Sequence, residues 1–249
     1  MTQNVNFQYR ISVCLASYNG EKFVREQVES ILSDLRQFDE LIICDDGSVD
    51  NTCSIIRSFN DPRIKLICNQ KRLGFVKNFE KLLSLATGDL IFLSDQDNIW
   101  IKGKIEKIIS VFQKDSGIRL VCHSFIPIDA HENRFPMNVP LMHKGKKNSF
   151  AILMQHLIKS QFYGCTFCIN RKAIDSLLPF PLTTYSHDHW ILVSAAVNGY
   201  VFVLDEPLIK YRRHDSNLSP LKRFPVKTML LFRIKLFLQI CTALYRSGV

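Results

Sequence analysis

Leu90-Ile91-Phe92-Leu93-Ser94-Asp95-Gln96-Asp97 is the stretch on which the fold reading turns. Five apolar or small residues in a row describe a buried strand, and two carboxylates straddling one residue close it. Asp95 and Asp97 then stand at the carboxyl end of a strand, where open α/β sheets bind ligands. A pair of carboxylates can hold a hard divalent cation, which takes oxygen ligands and bound phosphates. A short acidic pair can also be a solvated loop, so the reading depends on its surroundings.

Upstream, strand and helix alternate. Residues 10–16 are apolar and β-branched, and Ser17-Tyr18-Asn19-Gly20 turns the chain. Residues 21–38 place Phe23, Val24, Val28, Ile31, Leu32 and Leu35 on one helical face. Residues 41–44 form a second buried run that stops at Asp45-Asp46-Gly47-Ser48, and Asp50-Asn51-Thr52 can cap a helix reaching Phe59. Residues 64–68 make a third strand, and residues 74–86 a helix closed by Gly88. This order predicts an α/β fold, with a mostly parallel, Rossmann-like central sheet covered by helices on both faces. The loops at 17–20, 45–48, 69–74 and 95–98 gather along one edge, a nucleotide site. Neither G-x-G-x-x-G nor a Walker A sequence occurs there, which argues against a Rossmann dehydrogenase and a P-loop NTPase.

Downstream the pattern is less regular. A helix over 101–113, a strand over 118–123 and a long segment over 124–149 follow, the last holding three prolines and the basic run Lys144-Gly145-Lys146-Lys147. Segments of that length tend to be functional or mobile. A helix over 150–158, a strand over 163–169, a short helix over 171–178 and a helix from His187 to Val197 come next. Strands over 200–204 and 208–211 lead to Arg212-Arg213-His214.

The 249 residues can build one α/β domain with a full core. Charge is uneven: from Lys210 onward nine Lys and Arg face one acid, Asp215, so eight of the nine net positive charges lie there. A nearly neutral body with a basic tail fits an anionic surface better than a nucleic acid. The apolar runs 229–232 and 236–238 are interrupted by Arg233 and Lys235, and the stretch reads as too short and too charged to span a bilayer. A basic amphipathic helix at the membrane interface is expected; a terminal helix packed on the domain is the alternative. The expected division is a domain over 1–219, with 10–98 the nucleotide-binding half and 99–219 the acceptor-binding half, and a tail over 220–249. Residues 1–9 lack the build of a signal peptide, so a cytoplasmic enzyme at the inner membrane face is expected. Cys14, Cys44, Cys68 and Cys122 read as small buried hydrophobes, and Cys165-x-x-Cys168 lacks the second pair a zinc site needs.

Four ordered motifs carry a family resemblance. Ile11-Ser12-Val13-Cys14-Leu15-Ala16-Ser17-Tyr18-Asn19-Gly20, Ile42-Ile43-Cys44-Asp45-Asp46-Gly47-Ser48-Val49-Asp50, Leu93-Ser94-Asp95-Gln96-Asp97-Asn98-Ile99-Trp100 and His187-Asp188-His189-Trp190 resemble those of family-2 glycosyltransferases of the GT-A fold. The S-D-Q-D run, H-D-H-W and Tyr211-Arg212-Arg213-His214-Asp215-Ser216-Asn217-Leu218-Ser219 are similar to bacterial rhamnosyltransferase-like members. One departure is Asn98, where such members often carry a third acid.

The resemblance implies inverting transfer of rhamnose or another hexose from a dTDP- or UDP-sugar, with Mg2+ or Mn2+. The implied acceptor is a lipid-linked or oligosaccharide glycan in surface polysaccharide (O-antigen or capsule) synthesis. Asp97 and Asp95 would hold the metal, with His214 a candidate third ligand; capping is the rival role for Asp95. Asp188 would be the general base, with helix capping again the rival. Ala16, Tyr18, Asp45, Asp46, Lys71, Asn78, Asp95 and Gln96 would surround the nucleotide sugar, with Asp46 on the pyrimidine, Tyr18 stacked on it and Arg72 near. Asp-Asp-Gly-Ser is otherwise a plain turn. Two other classes stay open: a nucleotidyltransferase acting on sugar phosphates, and a non-catalytic membrane-surface module.

Overall fold

The computed structural model describes residues 9–137, 145–147, 149–158, 162–215, 217 and 225–248. Readings that rest on residues 1–8, Lys144, Ser216, Leu218, Ser219, Lys222 and Arg223 lie outside the described residues. The first half alternates as expected: β1 (Ile11–Ser17), α1 (Val24–Leu32), β2 (Glu40–Asp45), α2 (Thr52–Arg57), β3 (Ile64–Cys68), α3 (Phe75–Leu85) and β4 (Leu90–Asp95). β1 pairs in parallel with both β2 and β4, and β2 with β3. There follow β5 (Ile99–Trp100), α4 (Lys104–Phe112), β6 (Ile118–Ile128), β7 (Gly145–Lys147), α5 (Ser149–Ile158), β8 (Phe167–Asn170), α6 (Ile174–Leu177), α7 (His187–Val197), β9 (Tyr200–Arg212) and α8 (Val226–Ser247).

All strands join one sheet in the order β3-β2-β1-β4-β8-β6-β9-β5, with β7 on β9. β8 runs antiparallel to β4 and β6, while β6 and β9 are parallel. Side chains on a strand alternate between faces, so each strand feeds two cores. Ile11, Val13 and Leu15 of β1 pack with Val28 and Ile31 of α1 and Ile105 and Ile108 of α4. Cys14, Ile91 and Leu93 face the other way, onto Phe79 and Leu82 of α3 and Trp190 and Val193 of α7. The polar amino-terminal edge is tied by Glu40, whose carboxylate accepts from Ser12 Oγ, from Thr87 N and Oγ1 (2.8 Å each) and from Lys65 Nζ (2.6 Å).

Several boundaries differ from the pattern. The helix expected over 21–38 is only α1, because Asp34 turns away to accept from Gly103 N (2.8 Å) and Ile105 N (2.9 Å) at the start of α4. The two strands expected over 200–211 are one, because register shifts against β6 absorb the polar Asp205-Glu206-Pro207 break. Residues 164–166, expected as strand, form a 3-10 turn ahead of β8. The short β5 lies two residues past Asp97 and pairs antiparallel with β9. Cys14, Cys44 and Cys122 are buried as expected, whereas Cys68 is exposed, since it ends β3 at the sheet edge.

α8 is longer than the sequence reading allowed. Residues 227–247 are long and apolar enough to cross a membrane by length and composition, so the judgement that the tail is too short does not hold. One face, with Leu236, Gln239 and Ala243 buried, packs on the domain. The other exposes Leu230, Ile234, Phe237, Leu238 and Tyr245. The packed face agrees with the terminal-helix reading, and the other face is exposed and apolar. The basic run also divides: Arg212 and Arg213 are buried in the body, whereas Lys227, Arg233, Lys235 and Arg246 lie on α8.

Candidate active site

The carboxyl ends of β1, β2 and β4 lie side by side, with Ala16 in register with Asp95 and Ser17 with Asp45. Gln96 joins the first and last of these loops: its Oε1 accepts from Tyr18 N (2.8 Å) and its Nε2 donates to Tyr18 O (3.0 Å). A Cβ at Gly20 would stand 2.2 Å from that Oε1, so this clamp needs glycine there. The Arg72 guanidinium lies over the Tyr18 ring, 4.0 Å from its centroid.

Asp45 and Asp46 divide their work. Asp45 is buried and accepts from Ser17 Oγ (2.8 Å), Ser48 N (2.8 Å) and Ser48 Oγ (2.6 Å), which closes its own turn. Asp46 reaches the loop after β3. Its Oδ1 accepts from Leu73 N (2.7 Å) and Asn69 Nδ2 (3.0 Å), and its Oδ2 from Gly74 N (2.9 Å). Asn78 is buried behind them, donating to Cys44 O (2.8 Å) and accepting from Asn69 Nδ2 (3.0 Å). Lys71 sits exposed on the same loop.

The second half of the chain brings residues to Asp97. Its Oδ2 lies 3.0 Å from His214 Nε2 and 3.0 Å from Asn217 Nδ2. The His214 ring packs on Phe23, with centroids 4.6 Å apart, so it is no free surface histidine. Arg212, buried, donates from its backbone to Asn98 Oδ1 (3.1 Å), from Nε to Asp97 O (3.0 Å), and to Glu26. Asn98 therefore holds β9 rather than facing the ligand edge.

Asp95 ends β4, and β5 rather than a helix follows it, so it caps no helix. Burial, followed by the negative charges of Asp97 and Asp188, pushes its carboxyl up to about 8. Ionised Asp95 is thus disfavoured by burial and by its neighbours' charges, and a cation beside it would relieve both. Among the described residues no three His, Cys, Asp or Glu side chains close into a complete metal cage. Mg2+ is commonly held by one or two carboxylates plus substrate phosphates and water, so this donor set fits a divalent cation that shares its coordination with a diphosphate.

Asp188 lies in the first turn of α7, across from β4. Its Oδ2 accepts from Gly164 N (3.1 Å), in the turn ahead of β8, and its Oδ1 from Ser186 Oγ (3.0 Å), the residue before α7; neither bond is to a backbone N–H of α7. Burial raises the affinity of this carboxyl for a proton; the imidazoles of His187 and His189 and the two donors outweigh burial and leave the pKa lowered. Burial in turn lowers the pKa of both histidines, against the pull of Asp188. His187 stacks on Phe79 at 3.9 Å, and its Nε2 lies 3.1 Å from Asp188 Oδ1. A Cβ at Gly164 would meet His187 Nε2 at 2.6 Å.

The structure thus brings Ala16, Tyr18, Gln96 and Asp95 together, joins Asp45, Asp46 and Asn78 through Asn69, and sets Asp97 against His214. Lys71 stays at the exposed rim. Asn69, Arg212, Gly164 and Tyr185 were not singled out. Asn69 follows a strand as Asp45 and Asp95 do, and Gly164 is an isolated glycine in a strand-like run; both signals were readable. Arg212 and Tyr185 gain their roles only through distant partners.

Residues 12–178 match the family model described as Glycosyl transferase family 2. The chain belongs to that family. Among curated relatives, the UDP-Glc:alpha-D-GlcNAc-diphosphoundecaprenol beta-1,3-glucosyltransferase WfgD of Escherichia coli is 27% identical, over 85% of this chain and 80% of its own. The dTDP-rhamnosyl transferase RfbG of Shigella flexneri is 26% identical, over 82% of this chain and 72% of its own. The fold of this glycosyltransferase matches that of S. aureus TarS 1-349 in complex with UDP-GlcNAc, with a TM-score of 0.71 at 17% identity over 91% of this chain. This chain spans 65% of that solved chain. The mannosyltransferase PcManGT from Pyrobaculum calidifontis, in complex with GDP-Man and Mn2+, gives a TM-score of 0.61 at 17% identity, over 97% of this chain and 74% of that one. The fold is GT-A: a mostly parallel curled sheet between helices, with a C-terminal helix added.

Proposed function

We propose that this family-2 glycosyltransferase moves a hexose, with inversion and with a divalent cation, from a UDP- or dTDP-sugar to a lipid-linked glycan. The observation that carries the reading is the convergence of Asp95, Asp97 and Asp188 beside the Tyr18–Gln96 clamp. Tyr18, with Arg72 over it, offers a stacking surface for the base. Asp46 Oδ2 accepts from Gly74 N and keeps a second acceptor position that complements the N3–H of uracil or thymine. Asp45, Asn78 and Gln96 hold the loops, Ala16 lines the end of β1, and Lys71 and Arg72 stand at the rim for the diphosphate sugar.

Asp97, Asp95 and His214 would hold Mg2+ or Mn2+, which when bound supplies Lewis-acid neutralisation of the diphosphate. Asp188, ionised because its pKa is lowered, accepts the proton of the acceptor hydroxyl. The oxygen freed by that transfer bonds to the anomeric carbon as the carbon–diphosphate oxygen bond breaks and the nucleoside diphosphate leaves. A base placed opposite the leaving group makes this a single displacement, which inverts the centre.

The named relatives support the donor and acceptor classes: one uses UDP-Glc and a diphosphoundecaprenol acceptor, the other is a dTDP-rhamnosyl transferase. The exposed apolar face of α8, with Lys227 and Lys235, would seat the enzyme on an anionic bilayer that carries such an acceptor. Eight free thiols fit a reducing compartment, the cytoplasmic side of that membrane. Bacterial surface-polysaccharide synthesis is the corresponding pathway class.

A panel of nucleotide sugars, with and without Mn2+, tests the reading. Metal-dependent release of nucleoside diphosphate from a UDP- or dTDP-sugar is the expected result. Release of inorganic diphosphate would identify a nucleotidyltransferase, and absence of any nucleotide binding would leave a membrane-surface module.

A further inference from the structure

α8 touches the segment that carries Asp188 at three places along its length and reaches it at a fourth through α5. Phe232 stacks on the Tyr185 ring, with centroids 4.7 Å apart and planes within 6°. Arg233 donates to His156 O (3.1 Å), and the His156 ring packs edge-on against His189 at 4.5 Å. Gln239, buried, donates to Thr183 O (3.4 Å), and the Arg246 guanidinium lies over Trp190 at 5.3 Å. Tyr185 completes the set: its hydroxyl is hydrogen-bonded to His189 Nδ1.

We propose that Tyr185 and His189 form a positioning pair for the base Asp188, held in place by Phe232 and Arg233 of α8. The proposal rests on the assignment of Asp188 as base. Its chemistry follows from protonation states. Burial raises the Tyr185 pKa, so the phenol keeps a proton to donate, and the pair is assigned with Tyr185 as donor. A phenol donating to Nδ1 leaves Nδ1 as the acceptor and places the imidazole proton on Nε2, which fixes both tautomer and ring orientation. The same hydrogen bond favours the neutral imidazole. A neutral His189 leaves Asp188 its full proton affinity, whereas a cationic one would weaken the base.

Groups facing His189 include Tyr185, Asp188 and His187 nearby in sequence, His156 of α5 and Arg233 of α8. Of these, Asp188 favours the imidazolium, and His187 and Arg233 oppose it. Loss of the Tyr185 hydroxyl therefore lets His189 protonate at higher pH. The acid limb of the kcat–pH profile should move upward, since the base is weakened as pH falls through the His189 pKa.

The test uses the full chain and four variants: Tyr185→Phe, Phe232→Ala, Phe232→Tyr and Asp188→Asn. Tyr185→Phe keeps the stack on Phe232 and removes only the hydroxyl. It should lower kcat by about tenfold, leave the donor KM and calorimetric UDP binding unchanged, and shift the acid limb to higher pH. Phe232→Ala should reproduce that pattern, and Phe232→Tyr, which restores the stack, should recover it. Wild-type kcat and an unmoved pH profile in Tyr185→Phe, beside an inactive Asp188→Asn, would overturn the pair alone. Equal losses of kcat and UDP binding would also overturn it, as a general structural effect. Full turnover in Asp188→Asn would instead remove the base assignment, and the pair with it.

Discussion

At Asp188 two opposed effects meet: burial on one side, and the charges of two histidines followed by two hydrogen bonds on the other. Burial would hold this carboxyl protonated, yet the amide of Gly164, the hydroxyl of Ser186 and the flanking imidazoles keep it ionised. Asp188→Asn keeps shape and accepting oxygen but loses the proton acceptor, so kcat should fall by about 100-fold or more while UDP binding persists. Steady-state kinetics beside calorimetry measure both, and loss of binding together with turnover would mark Asp188 as structural. The placement of candidate residues was legible where an acid interrupts an apolar pattern, as at Asp45, Asp95 and Asp97. It was hidden where a role depends on a partner far along the chain. Arg212 meets Asp97 and Glu26 only once β9 is laid beside β5. Tyr185 looks like any loop tyrosine until α8 stacks on it.

Among elements, the parallel strands depend on one carboxylate at their amino-terminal edge. Glu40 is buried against the tendency of burial to raise its pKa, and Lys65, Ser12 and Thr87 bring it down to about 2. The folded pKa lies below the ordinary 4.5, so the stabilisation is complete above that value and is lost as pH falls toward 2. Denaturant midpoints measured across that window should drop for the native protein, and Glu40→Gln should flatten the dependence; an equal slope in both would remove Glu40 as its source. The first half was readable because its apolar runs are continuous and separated by turn residues. The second half was not, because β9 spans a polar break through register shifts with β6, and α1 is cut short by the engagement of Asp34 with α4. Pairing with a distant strand overrides local pattern in both cases.

For the molecule as a whole, α8 has one face in the domain and one outside it. Truncation before α8 would uncover the surface that covers Leu236, Gln239 and Ala243, so loss of stability is expected with loss of the tail. Phe237→Ser with Leu230→Ser alters the exposed face alone, and should weaken binding to anionic vesicles without changing thermal stability. Each basic residue near such a surface adds roughly 1 kcal/mol, a contribution salt screens within a Debye length of about 10 Å. Vesicle sedimentation should therefore show binding that weakens with salt; unchanged binding in the double variant would leave α8 as a packing helix. At the same scale, the fold brings residue 97, just past β4, against residue 214, just past β9, and the central proposal is that a metal-assisted diphosphate site lies at that meeting point. Calorimetric titration of UDP into the wild-type protein and Asp97→Ala, each with and without Mn2+, measures it directly. Mn2+ should tighten UDP binding to the wild type and leave Asp97→Ala unaffected; equal tightening in both, or none in the wild type, would contradict the account.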